Sequence, residues 1–149
     1  MRAFRRILHP TDFSAASRPA FRRAVALAKA CRAPLVLMHV MTPPSPFVGE
    51  GTPPQNYLDL LVLARRSAKR RLAATLTRTR QQGLRAQAIF VEGLPADEIL
   101  RGARRTRADL VVMGTHGRSG VSRLFMGSVA ERVVRESRIP VLTVRAHGR

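Results

Sequence analysis

The chain has 149 residues, enough for one domain with a sizeable hydrophobic core. Apolar residues make up 45% and charged residues 24%, an ordinary balance for a soluble protein. No apolar run approaches the roughly 20 residues that span a bilayer. The extreme value is the formal net charge of +18: of 27 basic residues only Lys29 and Lys69 are lysines. Such charge suits nucleic acid, an anionic membrane surface or a polyanionic ligand. The arginines are spread over every segment of the chain, which favours solvated charges around an ordinary fold. Nucleic acid is therefore the less favoured partner, and no membrane partner is expected. The start, MRAFRRILHP, is basic but lacks the 7–15 apolar residues of a signal peptide. With the single cysteine, Cys31, this sets a cytoplasmic expectation.

Residues Phe4–His9 predict a first strand that ends in the turn sequence PTDFS. A helix follows with Phe21, Ala24, Val25, Ala28 and Cys31 on one face, and Ser17 with Pro19 suits its start. Pro34 then leads into LVLMHV, an apolar run typical of a strand buried on both faces. MTPPSPFVGEGTPPQN, with five prolines and two glycines, reads as a long loop of the kind that forms lids or binding loops. From Tyr57 to about Gln82 the spacing of Leu58, Leu61, Arg65, Ala68, Leu72 and Leu76 predicts a long amphipathic helix, closed by Gly83 in the left-handed conformation.

RAQAIFVEG is a third strand, and its alternation places it near a sheet edge. Pro95 opens a short helix with Ile99, Leu100 and Ala103 inward, and Asp97 and Glu98 near its positive end. DLVVMG is a fourth, fully apolar strand. A glycine-rich loop precedes a helix from about Gly127 to Ser137 carrying Val129, Ala130, Val133 and Val134, and Pro140 leads into a last strand, VLTVR. Strands alternating with helices imply a single-domain α/β fold with an open parallel five-stranded sheet and helices on both faces.

In open α/β sheets ligands bind outside the carboxyl ends of the strands, where the strand order reverses. Two strand ends are unusual: the first runs into Pro10-Thr11-Asp12 and the fourth into GTHGRSGVSRLFMGS. Both line one crevice if the order is 3-2-1-4-5, and this favours that order over the flavodoxin-like one. Gly114, Gly117 and Gly127 have no Cβ, so their backbone can take positive φ or approach phosphate oxygens closely. Gly127-Ser128 opens a helix whose N–H groups favour negative charge. His116, Arg118 and Arg123 supply donors and positive charge. A Walker-type lysine loop is absent, and His9, His39, His116 and His147 have no metal-ligand spacing. His39, in an apolar strand, reads as a packed core histidine.

The run GTHGRSGVSRLFMGSVAERVVRESRIPVLTVR resembles the C-terminal signature of the universal stress protein family. In that family's ATP-binding branch, glycine, two residues, glycine, nine residues and then glycine with serine or threonine recur. Here they read Gly114, Gly117, Gly127 and Ser128 at that spacing. ILHPTDFSAAS, LVLMHV and VEGLPADEIL extend the resemblance over nearly the whole chain, residues 1–149 as one domain. The resemblance implies a Rossmann-like fold of the adenine nucleotide alpha hydrolase type, binding ATP with Mg²⁺ as an accompanying ion. By position, it implies that Pro10, Thr11 and Asp12 lie near the ribose and adenine and that the Val40 backbone meets the adenine edge. It sets Met113, Gly114, His116 and Gly117 beside ribose and phosphates, and Gly127, Ser128 and Val129 around the triphosphate. It also implies a homodimer through the last strand, Val141 to Val144, and a stress-response regulator. A slow ATPase in the same pocket and a basic nucleic-acid-binding protein are the alternatives; no convincing general base is visible, so at most weak turnover is expected.

Overall fold

The computed structural model describes residues 4–43, 55–115 and 126–146. Five strands, β1 (Ile7–Pro10), β2 (Leu35–Met41), β3 (Ala86–Glu92), β4 (Leu110–Gly114) and β5 (Val141–Val144), form one sheet in the order β3-β2-β1-β4-β5. All pairs are parallel. The helices are α1 (Arg18–Cys31), α2 (Tyr57–Gln81), α3 (Pro95–Thr106) and α4 (Ser128–Glu136). The fold class and strand order expected from the sequence are those observed.

The sheet separates two apolar layers, because successive side chains of a strand point to opposite faces. Ile7, Leu35, Leu37, Leu110 and Val112 face Ala24, Val25 and Ala28 of α1 and Leu72 of α2. Leu8, Val36, Met38, Val111 and Met113 face Ile99, Leu100 and Ala103 of α3 and Ala130 and Val133 of α4. The strands β1, β2 and β4, buried on both faces, are the ones that read as mainly apolar, with His9 and His39 the buried polar side chains in the first two. Pro19 and Pro95 sit in the first turns of α1 and α3, where a missing N–H costs nothing.

Three local expectations are corrected. The first strand begins at Ile7, not Phe4, because the Arg5 and Arg6 amides bond to the Asp109 carboxylate at 2.9 Å and leave the ladder to start one residue later. On α2, Leu58 is 70% exposed instead of inward. A 25-residue helix is about 37 Å long and the seven-residue strands beneath it about 23 Å, so α2 is longer than the sheet it covers; Arg65 bonds to Glu92 at the end of β3, and Leu72 and Leu76 pack on the core. Val134 is also exposed: it lies about 100° round the helix from the buried Val133. Gly83, at φ 81°, does close α2 as expected.

Candidate nucleotide site at the sheet reversal

The strand order reverses between β1 and β4, and there the carboxyl ends of β1, β2 and β4 border a cavity of about 420 Å³. Nine of the eleven residues expected at the site line it: Pro10, Thr11, Asp12, Val40, Met113, Gly114, Gly127, Ser128 and Val129. His116 and Gly117 lie outside the described residues, as do Arg118, Arg123 and His147.

Each wall has a local cause. After β1 the Thr11 amide donates to the Met38 carbonyl at 2.8 Å, the last backbone-to-backbone bond to β2. Asp12 folds back on the chain, its Oδ1 accepting from the Ser14 amide at 2.9 Å, and Phe13 follows with φ 60°. This tight turn lifts the chain away from the sheet and opens the crevice. Backbone groups of alternate residues point to the same side of a strand. The Met38 carbonyl faces β1, so the Val40 amide and carbonyl face that side too, beyond the point where β1 has ended.

The opposite wall is the start of α4. Gly127 donates to the Thr115 carbonyl at 2.7 Å, and the Thr115 amide donates to Val144 at 3.1 Å. These bonds hold the start of α4 against the ends of β4 and β5. Gly127 has φ −62° and ψ 146°, extended backbone open to any residue. The positive φ foreseen for it is therefore not found, and closeness of approach is the remaining reason for glycine. The first intrahelical bond runs from Glu131 to Gly127, so the amides of Ser128, Val129 and Ala130 precede any intrahelical acceptor and front the cavity. Arg132 donates to Asp97 at 2.5 and 3.3 Å and to Glu136 at 3.0 Å, clamping α4 to α3, whose own first residue, Pro95, also borders the cavity. The Glu136 and Asp97 carboxylates hold the Arg132 guanidinium above its usual pKa.

Sequence reasoning missed Ser17, Thr42, Pro95, Ile99 and Thr115 as lining residues. Pro95 and Ile99 belonged to a recognised helix start, yet nothing local shows that this helix begins beside the crevice. His39 is buried as expected, with Nδ1 2.7 Å from the Thr11 carbonyl and its ring 4.5 Å from Phe13, but its strand position also brings it to the cavity. Asp12 is the one carboxylate among the described lining residues. No group of three or more metal-ligating side chains occurs among the described residues.

The parallel order β3-β2-β1-β4-β5, with a ligand-sized crevice at its reversal, defines a Rossmann-like α/β domain. A model of the universal stress protein family matches residues 3–145, and the chain belongs to that family. Universal stress protein MJ0531 of Methanocaldococcus jannaschii is 35% identical over 143 residues, spanning 95% of this chain and 82% of the relative. The solved structure of MJ0577 from the same organism superposes with a TM-score of 0.84 at 26% identity, covering 99% of both chains. A universal stress protein solved in complex with cAMP superposes with a TM-score of 0.66 at 26% identity, covering 96% of this chain and 98% of the other.

Proposed function

We propose that the crevice binds an adenine nucleotide, ATP in particular, and that the protein is a cytoplasmic, homodimeric, nucleotide-dependent stress-response regulator whose domain spans residues 1–149. The observation that carries this reading is the convergence of three backbone edges on one cavity: the end of β1, the Val40 edge of β2 and the amide-rich start of α4. The residues fit the ligand. A cavity of about 420 Å³ falls in the ~300–1,000 Å³ range of small-molecule sites. An adenine edge needs one donor and one acceptor, which the Val40 backbone supplies on its open side. Phosphate oxygens need N–H donors and positive potential, which the start of α4 and the Ser128 hydroxyl supply. Asp12, which lines the cavity, would accept from a ribose hydroxyl or help hold an accompanying Mg²⁺, an ion commonly bound by one carboxylate together with substrate phosphates. When bound, such an ion neutralises phosphate charge. The relative in complex with cAMP supports an adenine nucleotide as the ligand class.

Protein purified without added nucleotide is expected to release adenine nucleotide on denaturation, read by chromatography. Absence of released nucleotide together with no calorimetric binding of added ATP would overturn the reading.

The dimer rests on β5. It pairs with β4 on one side, and Leu142 is 39% exposed on this short edge strand. An edge of this kind offers unpaired backbone groups and apolar surface to a second copy. Light scattering at micromolar concentration is expected to give the dimer mass, and a monomer mass would refute the assembly.

A further inference from the structure

The helices carry arginines at similar density on both faces of the sheet; it is the carboxylates that are sorted, which leaves one face unneutralised. α1 carries four cationic side chains and no carboxylate; α2 carries seven and only Asp59. These two helices form one layer on one face of the sheet. On the other face α3 and α4 together carry five cations and four carboxylates. All four of those carboxylates are paired: Asp97 and Glu136 with Arg132, Glu98 with Arg101, Glu131 with Arg135. Around α1 and α2 the one ion pair among the described residues is Arg65 with Glu92, at 2.5 Å. Lys69 lies over the Phe90 ring at 5.2 Å and Arg71 over Phe13 at 4.7 Å, contacts that orient a cation without neutralising it. Arg22, Arg23, Arg66 and Arg70 are exposed and form no ion pair among the described residues.

We propose that the α1/α2 layer is a docking surface for the phosphate backbone of double-stranded nucleic acid, used without sequence preference and separate from the nucleotide crevice. Charge complementarity selects a polyanion, and guanidinium forks match phosphate geometry. The size matches as well: α2, at about 37 Å, spans about one turn of duplex, ~34–36 Å. Single strands are disfavoured because they are held by base stacking, and no aromatic side chain is exposed among the described residues. A lipid surface is disfavoured because interfacial helices insert large apolar side chains beside their cations. The exposed large apolar residues of α2 all lie in its first two turns, before the arginines of its remaining length, and α1 exposes none.

The test uses the full chain and a labelled random-sequence DNA duplex of about 20 base pairs, followed by fluorescence anisotropy. If four phosphates are neutralised, log affinity falls against log salt with a slope of about −3.6, roughly 150-fold between 50 and 200 mM. The variant Arg22→Gln, Arg23→Gln, Arg66→Gln, Arg70→Gln is expected to flatten that slope by about 3 units and weaken binding at least ~10-fold at 50 mM. A control with the same net charge, Arg104→Gln, Arg105→Gln, Arg107→Gln, Arg138→Gln, is expected to bind within about 3-fold of the parent, since its changes lie off this face. Circular dichroism checks both folds. Equal losses in the two variants would reduce the effect to net charge, and no binding at 50 mM would remove it. Tighter binding to phosphatidylcholine/phosphatidylglycerol vesicles than to duplex would assign the face to a lipid. Competition by ATP would assign the binding to the crevice. Each of these four results overturns the proposal.

Discussion

Gly127→Val is expected to leave the protein folded and to weaken ATP binding at least ~100-fold, a loss of about 2.7 kcal/mol or more. The backbone at φ −62° and ψ 146° lies in the region valine prefers, so the substitution introduces no torsional strain. Its cost to the fold is a poorer helix cap, about 1 kcal/mol. What it adds is a branched side chain at the start of α4, where phosphate oxygens must come within hydrogen-bond distance of the backbone amides. Ser128→Ala removes one charge-assisted hydrogen bond, worth about 1.5–3 kcal/mol or roughly 10- to 150-fold in affinity. Calorimetric titration with ATP reads both variants. Parental affinity in a folded Gly127→Val protein would show that this helix start does not hold phosphate.

Stability is expected to fall as pH drops from 6.5 toward 4, by about 3 kcal/mol, because of His9. His9 is fully buried in β1, its ring 5.6 Å from Phe21. The Val112 carbonyl, 2.8 Å from Nδ1, can only accept, so Nδ1 carries the proton and Nε2 is bare, buried with no hydrogen-bond partner among the described residues. Burial pushes the pKa down to about 4, against the smaller upward pull of the Val112 hydrogen bond and the Asp12 charge. The sign follows directly. The folded state keeps His9 neutral while the unfolded chain takes up a proton below 6.5, so acid favours unfolding through this window. Glu92, held down mainly by the Arg65 hydrogen bond, acts only in a lower window, below pH 4.5. In Asp109 burial pushes upward, but the Arg6 and Arg5 amides and the Arg5 charge outweigh it, so it too acts at lower pH. His9→Asn keeps a donor for Val112 and cannot titrate. Urea unfolding of this variant between pH 7 and pH 4 should lose the slope that the parent shows; an unchanged slope would place its origin elsewhere.

The parts of the fold that were legible in the sequence are those set by local pattern. The double-buried strands announced themselves as mainly apolar segments, and the alternation of strands with helices implied parallel pairing. The crevice was legible because its residues cluster at two strand ends, Pro10 to Asp12 and Gly114, and at one helix start, Gly127-Ser128. The rest depends on partners far away in the chain. Where β1 begins is decided by Asp109, more than a hundred residues later. Pro95 and Ile99 reach the crevice only because α3 crosses the sheet as it does. Gly127 is tied by its amide to the carbonyl of Thr115, twelve residues earlier in the chain, a bond that composition does not encode. The sorting of carboxylates to one face was invisible for the same reason: α1 and α2 precede α3 and α4 in the chain, and the two pairs part to opposite faces only because the strand order reverses between β1 and β4.

That sorting also governs how copies of the protein meet one another. Two molecules approaching α1/α2 layer to α1/α2 layer bring like charges together with almost no carboxylates to relieve them, so this orientation is repulsive at low salt. Self-association is thereby steered toward the sheet edges and the charge-balanced α3/α4 side, and unspecific clumping of the concentrated protein is suppressed. Added salt shortens the reach of the repulsion to a few ångströms and relaxes that steering, so colloidal behaviour, unlike the fold itself, is a function of ionic strength.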